Sequence, residues 1–471
     1  MTRIVVPLVL ALAAALCAVE GLHRPSPGSP LAAAPPVSAG PGATVGPPVL
    51  AVARVPAVLT RLGAEQRLAT AMDAIWADPA VARWQACAEV DDAGVPAYVR
   101  NGASALIPAS NLKLLTAAAA LARLGPSATF VTTAAAAAAP AGGVVAGPLY
   151  LVGGGDPLLA TDGYRASQHQ WTESREPVTR LAALADAVRA AGVTRIGGIV
   201  ADDHRYDAER SVPGWSPSYA ASGEITPVGA LIVDGGTVVA GRRRVPAADP
   251  AVAAAEAFAS LLSARGVEVG GPVVRGAAPP AATTVATVTS PPLTTVLGEM
   301  LRESDNLAAE MLVKELGFRF GGGGTWPAGT AVVHATLAGE GIPLDGVVQI
   351  DGSGLARQDR VPCRTLAALV AGGSLAPELP VAARCGTLVS RLVGQPGGQR
   401  VVAKTGSLSG VVALSGAVAA APLPPDPCPP GGASTARVTF AVVLNETPSI
   451  TAGEAVADHV ANLLAIYAGG A

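Results

Sequence analysis

The sequence predicts an α/β protein with a separate region of mixed helices and strands in the middle of the chain. Residues 130–285 alternate β-branched runs with helical runs and form a separate mixed region. The chain then ends in closely spaced strand-like runs and a final helix. Apolar residues make up 50% of the 471 positions, which is enough for a large buried core and excludes disorder over the whole length.

The first elements can be placed from local patterns. An amphipathic helix is predicted over residues 61–77, followed by short strands at 85–90 and 97–100. Pro108 then precedes a strongly helical stretch, NLKLLTAAAALARLG, which ends at Gly125 because glycine commonly terminates helices.

The later elements set residues 131–285 apart as a separate mixed region, with residues 61–130 before it and residues 286–471 after it. In this mixed region, strands are predicted at 144–152, 194–201 and 230–239, and helices at 178–191 and 250–265. Beyond it, we expect helices over 293–316 and 452–468 and strands at 400–408, 411–418 and 437–444.

The N-terminus carries an export segment. Residues 4–22 form an apolar run typical of a secretory signal, or of an uncleaved membrane anchor of about the minimum spanning length. We therefore assign residues 1–24 to a signal peptide or single N-terminal anchor, and the Pro/Ala-rich residues 25–60 to an extended linker. A lipoprotein signal at Cys17 is disfavoured, because Leu16 stands where a small residue is expected. The rest of the chain is expected to be exported to the cell envelope, either secreted or membrane-anchored.

Charge and cysteine content exclude several classes of protein. The chain has 32 basic and 35 acidic residues, so it lacks the positive surface that nucleic-acid-binding proteins need. Beyond the export segment the number of cysteines is even, which favours two disulfides in an oxidising compartment. Their spacing fits no zinc-ligand pattern, and no metal site is predicted. These cysteines are Cys87, Cys363, Cys385 and Cys428.

Lysine is rare in this chain. Only Lys113, Lys314 and Lys404 are lysines, although the chain has 32 basic residues. Arginine does not release its proton at usable pH, whereas a desolvated lysine does. One explanation is that some of these positions need lysine for their chemistry. The alternative is that the three lysines remain by random genetic drift.

Ser110 and Lys113 form an S-x-x-K pair at the start of a predicted helix. Residues three apart lie on one helix face, so the hydroxyl is within reach of the amine. A partly buried lysine with a lowered pKa can take the serine proton, and the helix N-terminus offers N–H groups to an oxyanion. The alternative is a plain helix cap beside a solvated lysine.

Two further motifs follow along the chain. Ser304-Asp305-Asn306 interrupts a sequence of strong helix formers and indicates either a helix break or a hydroxyl and an amide aimed into a cleft. Lys404-Thr405-Gly406-Ser407 lies on a strand-like run, where a glycine lets a ligand backbone approach closely; a hairpin turn is the alternative. In this order S-x-x-K, S-D-N and K-T-G are the motif set of penicillin-binding proteins and class A β-lactamases.

The segments around these motifs narrow the resemblance. Lys113 and Ser304 are too far apart for a β-lactamase or a short penicillin-binding domain, so an insert separates them. With the motifs, four segments of this insert and two segments that follow it resemble the D-alanyl-D-alanine carboxypeptidase/endopeptidase family called DacB or PBP4, peptidase family S13, over nearly all of residues 61–470. The segments are LYLVGGGDPLL, GIVADDHRYD, VPGWSPSY, ITPVGALIVDGG, DGSGLARQDRV and VVAKTGSLSGV.

This resemblance implies a fold, an activity and a role for each motif residue. The fold is a β-lactamase/transpeptidase-like catalytic domain, an antiparallel sheet flanked by helices, formed by residues 61–130 and 286–471 and split by an inserted region at residues 131–285. The activity is that of a serine-type D-Ala-D-Ala carboxypeptidase. The enzyme needs no cofactor, acts on peptidoglycan stem peptides and binds β-lactams. Ser110 is implied as the acylated nucleophile, and Lys113 as its base.

The remaining roles concern the substrate. Ser304 would relay a proton to the leaving D-alanine, and Asn306 would hold the substrate amide or Lys113. Lys404 would anchor the terminal carboxylate region and tune Ser304. Thr405, Gly406 and Ser407 would bind substrate, and the Ser407 N–H would join that of Ser110 in the oxyanion hole. Where the family often has threonine, this chain has Ser407, which keeps the N–H and a hydroxyl.

Two other functions compete with this interpretation. A class A β-lactamase needs a glutamate in an ExxLN run beyond S-D-N, and no such run follows Asn306. A binding protein that has kept the fold but lost turnover is the other alternative, and nothing in the motifs indicates such a loss.

The cysteine pairing follows from sequence distance and from the implied fold. Cys363 and Cys385 flank one short segment and are expected to pair. Cys87 on an early strand is then left to meet Cys428 between the last strands, since the first and last strands are neighbours in this fold family.

Overall fold

The computed structural model describes residues 55–164, 177–424 and 438–470. The predicted signal or anchor segment, residues 25–54 of the predicted linker and Cys428 lie outside these ranges. Among the described helices, none has both the length and the apolar character needed to cross a bilayer.

Helices and strands alternate over most of the described chain. The helices are α1 (Val55–Ala77), α2 (Lys113–Leu124), α3 (Leu181–Ala190), α4 (Ser218–Ser222), α5 (Pro250–Ser263), α6 (Leu293–Arg302), α7 (Asn306–Phe320), α8 (Trp326–Gly339), α9 (Cys363–Ala371) and α10 (Ile450–Gly470). The strands are β1 (Gln85–Asp92), β2 (Val95–Arg100), β3 (Ala105–Leu106), β4 (Val131–Ala136), β5 (Leu149–Val152), β6 (Leu159–Ala160), β7 (Thr179–Arg180), β8 (Arg195–Ile196), β9 (Ile199–Asp202), β10 (Thr237–Ala240), β11 (Arg243–Pro246), β12 (Glu268–Val269), β13 (Val273–Arg275), β14 (Thr283–Thr289), β15 (Val361–Pro362), β16 (Val401–Leu408), β17 (Val411–Val418) and β18 (Val438–Asn445).

The main sheet is built from both ends of the chain. Its strands run antiparallel in the order β16-β17-β18-β1-β2, so the late strand β18 pairs with the early strand β1. The pairing of these two strands runs without a shift from Gln85 opposite Asn445 to Asp92 opposite Val438. The predicted antiparallel sheet flanked by helices is confirmed.

Helices cover both faces of the main sheet. Because side chains alternate along a strand, β16 sends Val402 to one face and Ala403 to the other. Val402 packs in a core with Leu114 of α2 and Leu366 of α9. Ala403 packs in a second core that α1 and α10 close, with Leu464 among its buried residues. Helix α2, which begins at Lys113, is therefore anchored against the sheet.

A second sheet is built from the middle of the chain. Its order is β13-β9-β5-β4-β14, with parallel pairs on the β13 side and antiparallel pairs on the β14 side. Helices α3 and α5 contribute Leu184 and Phe258 to its core. Helix α5 begins where Asp249 accepts hydrogen bonds from the N–H groups of Ala251 and Val252, both at 3.1 Å. The boundaries of an inserted region at 131–285 stay a prediction.

Several element predictions need correction. The helix expected over residues 293–316 is two helices, α6 and α7, separated at 303–305. The strand expected at 230–239 begins only at Thr237, since the apolar residues 230–233 are buried without forming a strand. The strand expected at 144–152 begins at Leu149, and α1 extends back to Val55 into the predicted linker. Burial, and not strand pairing, accounts for the apolar run at 230–233.

The predicted cysteine pairing is wrong. Cys87 on β1 and Cys363 at the start of α9 form a disulfide that links positions 276 residues apart. Both are fully buried in the core between α9 and the main sheet, so helix packing brings them together. Neither Cys363–Cys385 nor Cys87–Cys428 is therefore possible. Cys385 is disulfide-bonded as well.

Candidate active site

Ser110 lies in a short 3₁₀ turn, Ala109–Leu112, that leads directly into α2. The turn is strained, because Ala109 has a positive φ of 46°, which non-glycine residues rarely adopt. Lys113 is the first residue of α2, and its Nζ lies 3.0 Å from the Ser110 Oγ. The hydroxyl and the amine thus meet as the three-residue spacing requires.

Lys113 is fully buried, and two other groups hold its amine in place. Its Nζ lies 2.7 Å from Asn306 Oδ1 and 2.9 Å from the carbonyl oxygen of Ser353. Burial lowers the pKa of Lys113 to about 8, while the negative charge of Glu310 acts in the opposite direction. A pKa near 8 leaves roughly a tenth of these amines neutral at pH 7 and able to take a proton.

Ser304 lies in the break between α6 and α7. Its φ of 61° is in the left-handed region, so the helix cannot continue through it. Asp305 then caps α7 by accepting a 3.0 Å hydrogen bond from the N–H of Ala308. The break aims the Ser304 hydroxyl at Lys404, whose Nζ lies 2.9 Å from Ser304 Oγ.

Lys404 projects from β16 and is fully buried. Its Nζ also donates to the carbonyl oxygen of Thr405 at 3.0 Å. Burial lowers its pKa well below the usual value, and the nearby positive charge of Lys113 lowers it further. The site therefore holds two desolvated lysines, each in contact with one serine hydroxyl.

The strand that carries Lys404 packs tightly against the Ser110 turn at Gly406. A Cβ on Gly406 would lie 2.9 Å from the Pro108 carbonyl oxygen and 3.1 Å from the Ser110 nitrogen, so only glycine allows this approach. Asn111 Nδ2 donates to the Lys404 carbonyl oxygen at 3.2 Å and ties the turn to the strand.

The other predicted substrate-binding residues on this strand have different exposures. Ser407 is exposed at the edge of the site. Thr405 is buried, and its hydroxyl donates to Thr387 Oγ1 at 2.8 Å. Ser407 is therefore the motif hydroxyl that is open to an incoming ligand.

The middle of the chain also reaches this site. Asn306 Nδ2 donates a 2.7 Å hydrogen bond to the carbonyl oxygen of Glu224, which follows α4. Asn306 thus contacts Lys113 through its amide oxygen and the Glu224 segment through its amide nitrogen. These two contacts fix which way the amide faces.

Sequence reasoning missed Glu310. This residue is fully buried on α7 and accepts hydrogen bonds from the N–H groups of Gly352, at 2.9 Å, and Ser353, at 2.8 Å. These bonds turn the Ser353 carbonyl oxygen toward Lys113. Burial, together with the charge of Asp351, raises the pKa of Glu310 to about 8. The sequence feature that could have identified Glu310 is its spacing of four residues from Asn306, which places the two side chains on one face of α7.

The segment DGSGLA at 351–356 packs directly behind Ser110. Asp351 accepts hydrogen bonds at 2.7 Å from the N–H groups of Gly354 and Ala356. A Cβ on Gly354, whose φ is 85°, would lie 1.9 Å from the Ala109 carbonyl oxygen. The turn therefore contacts the strained residue that precedes Ser110.

Comparison with known proteins identifies the family. The model of the D-Ala-D-Ala carboxypeptidase 3 (S13) family matches residues 68–244 and 240–466. The chain belongs to the S13 family. It is therefore an enzyme, a carboxypeptidase, as the sequence predicted. The family implies peptidoglycan carboxypeptidase or endopeptidase activity and a location in the cell envelope.

Two curated relatives match this S13 enzyme over most of their length. A D-alanyl-D-alanine carboxypeptidase of Actinomadura sp. is 33% identical, over 87% of this chain and 89% of its own. Carboxypeptidase DacB of Mycolicibacterium smegmatis is 34% identical, over 88% of each chain. The crystal structure of penicillin binding protein 4 (DacB) from Haemophilus influenzae superposes with a TM-score of 0.67 at 21% identity, covering 85% of this chain and 98% of that protein. The predicted fold class is thereby confirmed.

Proposed function

We propose that this S13 enzyme is a serine-type D-Ala-D-Ala carboxypeptidase that cleaves peptidoglycan stem peptides through an acyl-enzyme and is acylated by β-lactams. The observation that carries the proposal is the 3.0 Å contact between Ser110 Oγ and Lys113 Nζ, with the pKa of Lys113 lowered to about 8. A hydroxyl beside a buried, partly neutral amine is an activated nucleophile.

In the first step Ser110 Oγ attacks the carbonyl carbon of the penultimate D-alanine. Neutral Lys113 accepts the hydroxyl proton, and the resulting ammonium is held by Asn306 Oδ1 and the Ser353 carbonyl oxygen. Both acceptors stabilise the charged form of Lys113 and so favour the proton transfer. The carbonyl oxygen of the substrate becomes an oxyanion.

The N–H groups of Ser110 and Ser407 form the oxyanion hole. The tight approach of Gly406 to the Ser110 nitrogen, at 3.1 Å from an ideal Cβ, supports this assignment because it brings strand β16 beside the nucleophile. Backbone donors fixed in this way need no rearrangement as the oxyanion forms.

Collapse of the tetrahedral intermediate breaks the bond to the leaving nitrogen, which needs a proton. Ser304 supplies it, and Lys404, 2.9 Å away, replaces the proton on Ser304. D-Alanine leaves, and water then attacks the ester while it gives a proton through Ser304 back to Lys404. Lys113 returns its proton to Ser110 Oγ as the shortened peptide is released, which restores the Ser110 hydroxyl and both amines. The lowered pKa of Lys404 makes it easier for this amine to give up a proton to Ser304.

Relatives support the choice of substrate and inhibitor. The Actinomadura relative is named a D-alanyl-D-alanine carboxypeptidase, and the Mycolicibacterium relative is named carboxypeptidase DacB. The Haemophilus influenzae protein has been crystallised with a β-lactam, in a structure that superposes with a TM-score of 0.61. A β-lactam ring presents the same reacting carbonyl, so Ser110 would form a covalent adduct with it. Because peptidoglycan is a polymer of the cell envelope, an enzyme that cleaves it acts there.

Mass spectrometry of the purified protein after benzylpenicillin treatment tests the proposal. We expect a stable adduct on the peptide that contains Ser110 and release of D-alanine from a peptide ending in D-Ala-D-Ala. Ser110→Ala should abolish both. Ser260→Ala, which removes an exposed hydroxyl from α5, should change neither. An adduct on another residue, or unchanged labelling of Ser110→Ala, would contradict the proposal, and rapid loss of the adduct would indicate a β-lactamase.

A further inference from the structure

One of the three lysines has no part in the proposed mechanism. Lys314 lies on α7, four positions after Glu310 and eight after Asn306, so the three side chains follow one face of the helix. Its side chain is fully buried, like those of Lys113 and Lys404. A buried ammonium is costly unless other groups compensate its charge. The contacts of Lys314 therefore have to account for its burial.

Lys314 joins the middle of the chain to a tryptophan. Its Nζ donates to Asp207 Oδ1 at 2.5 Å and to the carbonyl oxygen of Glu209 at 2.7 Å. It also lies 3.7 Å from the centre of the Trp326 ring, whose face attracts a cation. Trp326 is the first residue of α8 and is buried. The ammonium therefore fixes the indole ring against the segment at 207–209.

The Trp326 ring contacts the carboxylate that supports the base. Trp326 Nε1 donates a 2.7 Å hydrogen bond to Glu310 Oε2, and Glu310 Oε1 accepts one from the Ser353 N–H. The carbonyl oxygen of Ser353 accepts the hydrogen bond from Lys113 Nζ. A continuous series of contacts therefore leads from Lys314 to the proposed base.

We propose, on the basis of the function above, that Lys314 is a positioning residue for Lys113. Lys314 fixes the Trp326 ring, and the ring fixes the carboxylate of Glu310. That carboxylate keeps the Ser353 carbonyl oxygen against the Lys113 amine. Lys314 takes no proton and touches no reacting atom, so it acts only through these contacts.

Loss of this support lowers the pKa of Lys113. The charged groups around Lys113 are the carboxylates of Glu310, Asp351, Asp305 and Glu224 and the amine of Lys404. Burial has the largest effect on the pKa of Lys113 and lowers it, whereas the four carboxylates raise it. A Ser353 carbonyl that turns away no longer stabilises the ammonium. A Glu310 carboxyl without its Trp326 donor is more readily protonated, so its negative charge is lost as well.

The pH dependence of benzylpenicillin acylation tests the proposal, because a purely structural role would scale the rate at every pH without moving the midpoint. Lys314→Met removes the charge and keeps a long apolar side chain. Trp326→Phe keeps an aromatic ring and removes the donor to Glu310. Arg205→Met is the matched control, because it breaks another ion pair between the same part of the chain and α7, that of Arg205 with Glu315 at 2.6 Å.

Lys314→Met and Trp326→Phe should each move the midpoint of the profile, at about pH 8 in the wild type, down by at least about half a pH unit. The limiting rate at high pH should fall about threefold to tenfold, because the amine is less well oriented toward Ser110. The double variant should show no further shift, since both changes act through one series of contacts. Arg205→Met should leave the midpoint unchanged.

Urea unfolding shows whether each variant is folded. If Lys314→Met does not fold, Asp207→Asn replaces it, because Asp207 is partly exposed and its change leaves the core intact; it should move the midpoint down, with no further shift when combined with Trp326→Phe. Four results would overturn the positioning role alone: an unchanged midpoint, a shift to higher pH as the direct loss of a positive charge would give, fully additive shifts, or an equal shift in Arg205→Met. A wild type that benzylpenicillin does not acylate overturns the proposed function as well.

Discussion

The Nζ of Lys113 and the carbonyl oxygen of Ser353 lie 2.9 Å apart, although the two residues are 240 positions apart in the sequence. Glu310 positions this carbonyl, because it accepts hydrogen bonds from the N–H groups of Gly352 and Ser353. A turn that binds no substrate in the proposed mechanism thus holds the proposed base. This contact favours the protonated form of Lys113 and opposes the effect of burial.

Burial and the hydrogen bond to Ser353 act in opposite directions on the pKa of Lys113, and the resulting pKa predicts that the acylation rate depends on pH. Acylation requires neutral Lys113, and its pKa is lowered to about 8, so the acylation rate should rise as the pH increases through 8. Between pH 6 and pH 8 the neutral fraction increases about fifty-fold, and the second-order rate of β-lactam acylation should follow it. Stopped-flow measurements from pH 6 to pH 9 would check this.

Acylation by the Lys113→Arg variant should be measured over the same pH range as that of the wild type. Guanidinium keeps the positive charge but does not accept a proton, so acylation should fall by at least about a hundredfold at every pH. Near-normal acylation by the arginine variant, or a wild-type rate that is flat from pH 6 to pH 9, would remove Lys113 from the role of base.

Two buried carboxyl groups, Asp351 in the turn at 351–356 and Asp359 just after it, should respond differently to amide substitution. Burial and the negative charge of Asp351 raise the pKa of Asp359 to about 10. The folded protein therefore retains a proton at Asp359 that the unfolded chain releases above pH 4, and the contribution of Asp359 to folding stability falls as the pH rises from about 4 to about 10. Asparagine does not titrate, so Asp359→Asn should gain stability relative to the wild type as the pH rises through this window.

Asp351→Asn is the matched comparison. Asp351 Oδ2 accepts hydrogen bonds from Trp215 Nε1, at 2.8 Å, and from the N–H of Ala356, at 2.7 Å, and an amide nitrogen at either oxygen position would face donors. We expect a loss of about 1 to 3 kcal/mol in the free energy of unfolding. Urea unfolding at pH 5, 7 and 9 compares the variants. An Asp359→Asn effect that is the same at all three pH values would show that Asp359 does not hold a proton at pH 7.

The second disulfide is predicted to join Cys385 to Cys428. Cys87 and Cys363 are already paired, and Cys385 is disulfide-bonded. Arg384, next to Cys385, donates to the carbonyl oxygen of Leu423 at 2.7 Å, which brings the chain leading to Cys428 close by. Non-reducing peptide mapping should find this bond in the exported protein. A free thiol at Cys428, or a bond from Cys385 to Cys17, would contradict it.

The sequence predicts local relationships well and distant ones poorly. The contact between Ser110 and Lys113 follows from their spacing, because residues three apart share a helix face. The Cys87–Cys363 bond joins residues that only the packing of α9 on the sheet brings together, so sequence distance suggested a different pair. Glu310 was missed because a buried glutamate in a helix has the same sequence pattern as an exposed one. Its function depends on the Gly352–Ser353 turn, whose position is set by tertiary contacts.

The terminal carboxylate of the substrate is predicted to bind at Ser407. Ser407 is exposed on the motif strand, whereas Lys404 is buried against Ser304. A peptide ending in D-Ala-D-Ala should be cleaved more than about tenfold better than its C-terminal amide, since a hydrogen bond from the Ser407 hydroxyl to a charged carboxylate contributes about 1.5 to 3 kcal/mol. Ser407→Ala should shrink this acid-to-amide ratio, Lys404→Ala should lower both rates, and Ser409→Ala, an exposed serine two positions away, should change neither. Equal kcat/KM values for acid and amide in the wild type would exclude a carboxylate site at Ser407.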